Sequence, residues 1–424
     1  MGLLKAAEFM EYITDLHIHS HYAAATSKNM DLYHMAATAQ EKGIKVISTG
    51  DFTHPSWFRE LRENLEEKEQ GLYGIKEKEF ATRFVLGVEI ATISQYNGKT
   101  RKVHQCVLAP DFDVASQIND YLSKYGDLSI DGRPSFNMSP AELVEIISSI
   151  SKDAIIFPAH IWTPWYGILG SISGYDSFKE AYADQLSHIM AYETGLSADP
   201  PMCFRISWLD SFTVLSTSDA HSPQKIGREA TVFELDSLSF DSMAKAIRKK
   251  NTKYTIEFYP EEGKYHYDGH RKCGVSMSPE EAKKYGNICP VCHKPLTLGV
   301  LHRVDLLADR PEGFVPNDAV PFVHAVPLVE LISKALGKPE GSQANEALYR
   351  AFISRFSSEF NVLLKADIGQ LGEVDKKVAK AIENVREGKV FVKPGYDGVF
   401  GIVEPFPRGQ AAESAQKQRS ILDF

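Results

Sequence analysis

Cysteine is scarce in this chain, which has five in 424 residues. Three of them, Cys273, Cys289 and Cys292, lie close together, which favours a metal site over a disulfide framework. The other two, Cys106 and Cys203, stand alone in the sequence, and we predict that they are ordinary buried thiols. The scarcity of cysteine therefore argues against a disulfide-stapled secreted fold.

Long apolar runs and excess positive charge are missing as well. No segment approaches membrane-spanning length, and the N-terminal segment MGLLKAAEFMEY carries acidic residues without a signal-like core. We therefore expect an intracellular protein. The chain has 47 Lys and Arg against 56 Asp and Glu, a formal net charge of -9. This balance argues against a general polyanion binder, so any nucleic-acid contact requires a local basic surface.

The first half of the chain contains short β-type runs that each end on a metal-binding side chain. Helical patterns separate these runs, and strand, helix, strand repeated in this way is typical of an α/β barrel. A parallel barrel gathers the carboxyl ends of its strands in one mouth, so distant residues can meet there. The candidate ligands are His17, His19, Asp51, Glu89, His104, His160, Glu193, Asp219 and His221.

The number of these residues predicts a multinuclear metal centre. A single His or carboxylate at a strand end is more often a satisfied polar group near the barrel rim. Burying the whole set without a cation would be costly, however. His17 and His19 strengthen the prediction because alternate strand residues face the same way, so both imidazoles can reach one ion. Zinc and manganese both suit such nitrogen and oxygen ligands.

A second metal site is predicted in the cysteine-bearing segment YHYDGHRKC and the later CPVC. Two pairs of ligands, each with two intervening residues, hold one structural zinc ion tetrahedrally and exclude water from it. The first ligand is open, since His293 or His302 could replace the first histidine. The four candidate ligands are His270, Cys273, Cys289 and Cys292.

Changes in composition divide the chain into five predicted regions. From Asp241 to Arg303 there are twelve Lys or Arg against seven Asp or Glu, which fits either phosphate contacts or a solvated face. The glycine-rich PGYDGVFG segment is best explained as a hairpin turn between two short strands. The regions are a catalytic barrel (1–235), the barrel end and connection (236–262), a zinc-binding domain (263–303), a helical domain with PGYDGVFG (304–407) and a flexible tail (408–424).

The tail ends in a short motif that predicts a protein partner. Gln418, Ile421 and Phe424 have the spacing Q-x-x-I-x-x-F, in which one helical turn presents an aliphatic and an aromatic side chain together. This resembles a peptide that binds the sliding clamp PCNA. The alternative is a disordered tail that happens to end in Phe.

The barrel motifs DLHIHS, STGDFTH, GVE, PAH and SDAH, with the strands of His104 and Glu193, resemble the polymerase and histidinol phosphatase (PHP) family over about residues 10 to 225. The resemblance implies a distorted seven-stranded (β/α) barrel with two or three catalytic divalent metals, Zn²⁺, Mn²⁺ or Mg²⁺. It departs from the family at the second motif, where Asp51 and His54 are not adjacent. The resemblance implies that the paired metals are bound by His17, His19, Glu89 and Asp219, and that Glu193 also contacts metal directly. The remaining members of the set are Asp51, His104, His160 and His221.

The whole arrangement of barrel, zinc knuckles, helical region and PGYDGVFG segment resembles the endonuclease Q family over almost the full chain. This resemblance implies a DNA repair enzyme of the archaeal cytoplasm and nucleoid. It would nick DNA 5′ of deaminated bases (uracil, hypoxanthine or xanthine) and of abasic sites, through a metal-activated hydroxide, leaving a 3′-hydroxyl and a 5′-phosphate. The alternatives are a PHP-type phosphatase for small phosphomonoesters, which needs no zinc knuckle or clamp peptide, and a non-catalytic scaffold, which would have lost ligands.

Lesion selection by such an enzyme requires a base outside the stack, and flipping costs least for a mispaired or missing base. We expect the loops after His160 and Glu193 to build the lesion pocket, with aromatic side chains available for stacking. The alternative is that these aromatics cover the barrel rim. The candidate substrate-binding residues are Trp162, Trp165, Tyr166, Gly195 and Ser197.

Overall fold

The computed structural model describes residues 9–406. The predicted clamp peptide with Gln418, Ile421 and Phe424 lies outside the described residues. The strands are β1 (Met10–Asp15), β2 (Val46–Ser48), β3 (Leu65–Glu69), β4 (Leu72–Ile75), β5 (Arg83–Tyr96), β6 (Lys99–Ala109), β7 (Ser135–Phe136), β8 (Ile155–Pro158), β9 (Ala191–Glu193), β10 (Thr213–Leu215), β11 (Ala230–Leu235), β12 (Thr252–Glu257), β13 (Asp268–His270), β14 (Val275–Met277), β15 (Phe322–His324), β16 (Phe391–Lys393) and β17 (Ile402–Glu404).

Helices alternate with the strands of the first half and dominate the last quarter. They are α1 (Leu32–Lys42), α2 (Pro55–Asn64), α3 (Phe112–Leu122), α4 (Pro140–Ile150), α5 (Phe178–Tyr182), α6 (Pro200–Phe204), α7 (Phe240–Arg248), α8 (Pro279–Lys284), α9 (Val300–Leu307), α10 (Leu328–Leu336), α11 (Gln343–Phe356), α12 (Ile368–Val374) and α13 (Lys376–Arg386). Ser139 and Glu142 form a capping box that fixes the start of α4. Within residues 9–406, no helix is long and apolar enough to cross a bilayer.

Seven strands form the distorted barrel that the sequence predicts. β1, β2 and β5 pair in parallel, β6 pairs antiparallel with β5 and β8, and β9 pairs in parallel with β10. Backbone bonds close the ring on both sides of the β9 and β10 pair. Ile161 N donates to Glu193 O at 3.1 Å beyond β8, and Asp219 N donates to His17 O at 2.9 Å beyond β1. Residues that follow β10 are thereby held directly beside the first His-X-His motif.

Two ligand candidates lie inside strands, so the prediction that every ligand follows a parallel strand was wrong for Glu89 and His104. Both belong to a long antiparallel hairpin of β5 and β6. The hairpin turns at Asn97 and Gly98, whose φ angles are 49° and 71°. A two-residue turn with both φ values positive matches the twist of paired strands, which makes Asn-Gly a strong hairpin signal. β6 is folded back by this turn and runs against its barrel neighbours.

An apolar cluster fills the barrel interior. Each barrel strand contributes one of its own residues or the residue directly after it, as expected when side chains alternate between the two faces of a strand. Helix α7 adds Phe240 and Met243 to this cluster. The interior is therefore packed, and the polar candidate ligands lie only at its rim. The strand contributions are Leu16, Val46, Val85, Leu108, Phe157, Ala191 and Leu215.

The C-terminal part is mainly helical, as predicted, and has a core of its own. Leu331 on α10, Phe352 on α11 and Ile382 on α13 are buried together there. β16 and β17 form an antiparallel hairpin around the PGYDGVFG segment, as expected from its glycines. Between the barrel and these helices lie the β13 and β14 hairpin and α8, with a small cluster around Cys289.

Candidate metal centre

Four side chains form a first ligand group at the rim of the barrel. The ligand atoms of His17, His19, Glu89 and Asp219 all lie within 4.8 Å of one another. His19 Nε2 is 3.3 Å from Glu89 Oε2 and 3.2 Å from Asp219 Oδ1. His17 Nε2 is 3.7 Å from Glu89 Oε1 and 3.6 Å from Asp219 Oδ1. Two imidazole nitrogens and two carboxylates thus converge on a space that suits one zinc or manganese ion.

A second group shares the Glu89 carboxylate. His104 Nδ1 is 2.6 Å and His160 Nε2 is 3.0 Å from Glu89 Oε1. The two imidazole nitrogens are 3.2 Å apart. Glu89 therefore faces His19 with Oε2 and faces His104 and His160 with Oε1, which also lies 3.7 Å from His17 Nε2, so its carboxylate contacts both groups and is placed to bridge two ions. Its position inside the long strand β5 allows this, because residues of several neighbouring strands surround it.

Asp51 and Glu193 contact the far side of the first two imidazoles. His19 Nδ1 donates to Asp51 Oδ1 at 2.9 Å, and His17 Nδ1 donates to Glu193 Oε2 at 2.8 Å. The backbone and hydroxyl of Ser20 donate to the other Asp51 oxygen at 2.6 and 2.7 Å. A carboxylate on Nδ1 fixes the tautomer and leaves Nε2 free to bind metal. These contacts favour an orienting role for both carboxylates over the direct ligation expected from sequence.

Unsatisfied buried atoms show that the site fits cations. Within the described residues, Nε2 of His17 and His19, Nδ1 of His160, Oε1 of Glu193 and Oδ1 of Asp219 are buried without a hydrogen-bond partner. Buried polar atoms are normally paired, so the meeting of His17 Nε2, His19 Nε2 and Asp219 Oδ1 calls for a ligand that bonds to these three atoms. Nitrogen and carboxylate donors of this kind are the ligands that Zn²⁺ and Mn²⁺ prefer.

The electrostatics of the site also favour positive charge. Burial opposes protonation of His17 and His19, yet their neighbours raise the pKa of both imidazoles well above the ordinary value. The largest raising contributions come from Cys106 and then Glu193 at His17, and from Asp51 at His19. Burial likewise opposes ionisation of Glu89, but His104 and His17 outweigh it and hold the pKa of Glu89 well below its usual range. His104 is an exception, because its burial lowers its pKa to about 4. The cavity thus keeps its bridging carboxylate ionised.

Backbone strain is concentrated at the site. Asp51, His160, Tyr166 and Asp219 have φ angles of 52°, 30°, 66° and 47°. Residues other than glycine rarely adopt such values, and they persist only where the surrounding structure imposes them. Gly195, a predicted substrate contact, has the same kind of conformation at 66°, and a Cβ there would lie 2.5 Å from His160 Cβ. Gly195 therefore lets the chain after β9 pass close to His160.

His221 and Cys106 lie beside the two groups. His221 Nδ1 donates to the Asp219 carbonyl at 2.9 Å and is 3.6 Å from its carboxylate, and its ring is 4.5 Å from that of His19. Cys106 forms a further cluster with His17 and Glu193. Burial raises the pKa of the Cys106 thiol strongly, which favours its neutral form. Cys106 is therefore a buried thiol, as predicted, but it lies beside His17 and Glu193, which the sequence did not indicate.

Two residues at the site escaped the sequence analysis. Asp15 is buried at the end of β1 and accepts bonds from the Ser218 backbone at 3.0 Å and the Gly227 backbone at 2.8 Å, which positions Asp219. Arg133 places Nη1 3.2 Å from Glu89 Oε2 with 28% of its side chain exposed. A carboxylate inside an apolar strand run could have indicated Asp15. Nothing in the loop sequence DGRP indicated Arg133.

The predicted stacking residues lie in very different environments. Trp162 is fully buried and its Nε1 donates to Cys203 Sγ at 3.4 Å, so the expectation that it stacks on substrate was wrong. It belongs to the apolar core because the loop after His160 turns inward at that point. Trp165 is 49% exposed, and the ring of Tyr166 lies 4.2 Å from that of His104. Ser197 is half-buried.

The predicted zinc ligands come together in the structure. His270, Cys273, Cys289 and Cys292 offer ligand atoms within 4.8 Å of one another, and His270 Nδ1 is 3.6 Å from Cys292 Sγ. The alternative ligand His302 is buried elsewhere and its Nδ1 donates to Asp268 at 2.6 Å. One histidine and three cysteines are a donor set typical of structural zinc.

Comparisons with known proteins agree with this fold and site. A family model described as PHP-associated matches residues 211–252, and one for the C-terminal domain of MJ0043 matches residues 327–389. The uncharacterized protein MJ0043 of Methanocaldococcus jannaschii is 34% identical over 254 residues, or 58% of this chain. The alignment covers only 32% of that longer relative. The uncharacterized protein YqxK of Bacillus subtilis is 28% identical over 410 residues, covering 92% of this chain and 98% of YqxK.

Two solved structures match over nearly the whole chain. The lesion-specific endonuclease PfuEndoQ of Pyrococcus furiosus has a TM-score of 0.84 and 32% identity, covering 93% of this chain and 95% of PfuEndoQ. A complex of endonuclease Q with a 27-mer duplex carrying an abasic lesion at the active site has a TM-score of 0.83 and 32% identity, covering 96% of this chain and 99% of the other.

The barrel and its paired ligand groups define a metal-dependent hydrolase of the PHP class. Fold and site alone go no further than this class, since many chemistries can share one barrel. The similarity in sequence and structure over both chains is more specific. The chain belongs to the endonuclease Q family.

Proposed function

We propose that this protein is a DNA repair endonuclease that nicks one strand 5′ of deaminated bases and abasic sites, leaving a 3′-hydroxyl and a 5′-phosphate. The observation that carries the proposal is the pair of ligand groups joined by Glu89, in a chain that matches endonuclease Q structures along its length. Uracil, hypoxanthine and xanthine are the proposed deaminated bases. Each differs from the base from which it arises by an exocyclic oxygen in place of an amino group, which only a flipped base presents fully.

The side chains that would hold two catalytic divalent ions are His17, His19, Glu89 and Asp219 for one, and Glu89, His104 and His160 for the other. Zn²⁺ and Mn²⁺ suit these donors better than Mg²⁺, which prefers oxygen. When bound, such ions lower the pKa of water and neutralise charge on the phosphoryl oxygens and the leaving 3′-oxygen.

The protein itself contributes orientation and charge. Asp51 and Glu193 accept from Nδ1 of His19 and His17, so that both Nε2 atoms face the centre, where they would lose their proton on binding a metal ion. Arg133 reaches the centre from its partly exposed side and can donate to a phosphate oxygen there. Asp51, His160 and Asp219 have positive φ angles, a backbone conformation that would fix where their side chains meet a bound phosphate.

The remaining parts of the chain support the same proposal. The His270, Cys273, Cys289 and Cys292 group would hold one structural zinc ion. The net basic segment from Asp241 to Arg303 would contact DNA phosphates. We also propose that Gln418, Ile421 and Phe424 bind the sliding clamp PCNA.

Incubation with labelled duplexes tests the proposal. The duplexes carry one deoxyuridine, one deoxyinosine, one abasic site or no lesion, with and without chelator. We expect a metal-dependent nick immediately 5′ of each lesion that is lost in His19→Ala. The matched control is His34→Ala, which removes an exposed imidazole that also pairs with an aspartate. Intact DNA in every lane, together with turnover of a simple phosphomonoester, would instead support the phosphatase alternative.

A further inference from the structure

We propose that Tyr166, Trp165, Tyr265 and Phe400, which we call the aromatic row, bind unstacked bases of the DNA strand beside the cleaved phosphate. The inference rests on the proposed function and adds a binding surface to it. The row joins three parts of the chain: the loop after β8, the start of the zinc-binding region and the hairpin of β16 and β17.

The row starts at the metal centre and leads away from it. The Tyr166 ring is 4.2 Å from the His104 ring, and His104 N donates to Tyr166 O at 2.9 Å. Trp165 immediately precedes Tyr166 in the chain, and its ring is 6.3 Å from that of Tyr265. Lys264 links Tyr265 to Phe400, with its Nζ 5.7 Å from one ring and 5.8 Å from the other. A strand whose phosphate lies at the metals can therefore lay its following bases along the row.

The outer members of the row are too exposed to be explained by packing. Trp165 is 49% exposed and Phe400 is 70% exposed. Leaving such large apolar surfaces in water forgoes the free energy that burial would provide. Tyr166 and Tyr265 are half-buried and hold the row against the protein. Exposed aromatic side chains that lie near one another are typical of a surface that another molecule covers.

Positive charge accompanies the rings. Lys102 Nζ is 5.5 Å from the centre of the Tyr166 ring, and Lys264 lies between the next two rings. Arg271 approaches the tip of the hairpin, where its Nη1 is 3.2 Å from the position that a Cβ on Gly398 would take. Aromatic faces interleaved with cations are the arrangement that binds single-stranded nucleic acid, since bases stack on the rings and cations follow the phosphates. These positive side chains lie together although the chain as a whole has a formal net charge of -9.

Hydrogen bonds fix the part of the row that the β16 and β17 hairpin carries. The hairpin tip is joined to the preceding segment by backbone bonds, with Gly395 N donating to Glu261 O at 2.8 Å and Gly398 N donating to Lys264 O at 2.8 Å. Asp397 accepts from Arg271 N at 2.6 Å and fixes the other side. Gly401 must be glycine, because a Cβ there would lie 2.0 Å from the carbonyl of Glu261. Preorganised aromatic surfaces lose little entropy on binding.

The occupant that these features fit is an unstacked strand. Cations alone would suffice for the backbone of an intact duplex, in which the base faces are already stacked. Ring faces gain contact only with bases that have left the stack, which is the state a flipping enzyme creates next to its lesion. Stacking on rings does not depend on base identity, so the row would not itself select the lesion.

Binding of an unmodified single-stranded oligonucleotide tests the proposal directly. The variants are Trp165→Ala and Phe400→Ala, and Trp165→Phe keeps a ring at the same position. Fluorescence anisotropy at fixed salt should show Kd rising roughly 5- to 100-fold in the alanine variants, as expected for the loss of one stacked base. Trp165→Phe should stay close to wild type. Equal binding by wild type and both alanine variants would overturn the inference.

Tyr33→Ala is the matched control. Tyr33 is also 49% exposed and has Lys78 Nζ 4.3 Å from its ring centre, but it packs on Phe80 outside the row. Its removal should leave Kd unchanged, and an equal loss in this variant would refute a specific row. Tryptophan fluorescence gives a second measurement. Of the other three tryptophans, Trp57 and Trp162 are buried, and Trp208 is half-buried with its ring 5.0 Å from that of Phe178. Quenching by the oligonucleotide should therefore largely disappear in Trp165→Phe if Trp165 is a stacking residue.

The failure of this inference can be told apart from failure of the proposed function. If the wild-type protein does not nick lesion-bearing duplexes, the proposed function is wrong. If it nicks them, and the alanine variants nick and bind single strands equally well, only the aromatic row is refuted. Unchanged metal content in each variant verifies that the centre beside Tyr166 is intact.

Discussion

Replacing Asp51 by asparagine should damage the metal centre without removing any atom proposed to touch metal. Asp51 is fully buried and accepts three bonds: one from His19 Nδ1, and two from the backbone and hydroxyl of Ser20. The single side-chain oxygen of the substituted asparagine would stay on the Ser20 side, because the Ser20 backbone N–H can only donate and cannot face the amide nitrogen. The amide nitrogen would then face His19 Nδ1 and require it to accept.

The consequence lies on the other nitrogen of the ring. If His19 Nδ1 accepts, its proton moves to Nε2, which is 3.3 Å from Glu89 and 3.2 Å from Asp219 and is aimed at the proposed ion. A protonated nitrogen cannot bind metal. Loss of such an orienting carboxylate typically lowers metal affinity or activity about 10- to 100-fold. This corresponds to about 1.4 to 2.7 kcal/mol of binding free energy.

The assay compares metal content after dialysis against graded chelator with the nicking rate on an abasic duplex under single turnover. Asp31→Asn is the matched control, because Asp31 also accepts from a histidine Nδ1, that of His34 at 2.7 Å, but on the surface. Asp51→Asn should lose metal at lower chelator concentration than Asp31→Asn, with a slower nick. Equal metal retention and equal rates in the two variants would refute the orienting role.

Three further predictions concern other parts of the structure. Glu89→Gln keeps the shape of the bridging residue but removes its charge, so metal content and nicking should both fall further than in Asp51→Asn, for which a loss of about tenfold or more is expected. Wild-type metal content in this variant would contradict a bridging role. Cys289→Ser removes a buried member of the His and Cys group, so one zinc per chain should be lost and residues 263–303 should become sensitive to protease, because such sites fold with their metal. Burial, together with the neighbouring Asp199, raises the pKa of Glu257 to about 7. The folded protein then binds a proton that the unfolded chain has released, so stability falls as pH rises from about 4.5 to about 7. Glu257→Gln should therefore increase the free energy of unfolding at pH 8 by on the order of 3 kcal/mol and change it little at pH 4; urea titrations at the two pH values measure this, and an equal effect at both would exclude titration of Glu257 as the cause.

Sequence alone indicated the fold class because its signals are local. The apolar runs that end on His17, Asp51 and His160, with helices between them, predict an α/β barrel whatever its details. The spacing of His270, Cys273, Cys289 and Cys292 predicts one metal site because both ligand pairs are close in sequence. The helices near the C-terminus follow from their apolar periodicity in the same way.

Tertiary structure decided which groups touch and in what role. The hairpin at Asn97 and Gly98 folds β6 backwards and places Glu89 between two ligand groups, which strand-end reasoning could not predict. Asp51 and Glu193 have the same chemistry as the proposed ligands, and their contacts with Nδ1 atoms are the observation that favours an orienting role for them.

The aromatic residues show the same limit. Trp162 and Trp165 are three positions apart in one loop, yet one is buried against Cys203 and the other is half exposed beside Tyr265. Arg133 reaches Glu89 from a loop 44 residues further along the chain. The sequence by itself determined which side chains were available and which strands and helices would carry them. The closure of the barrel and the packing of loops determined which of them meet, because those contacts join residues far apart in the chain.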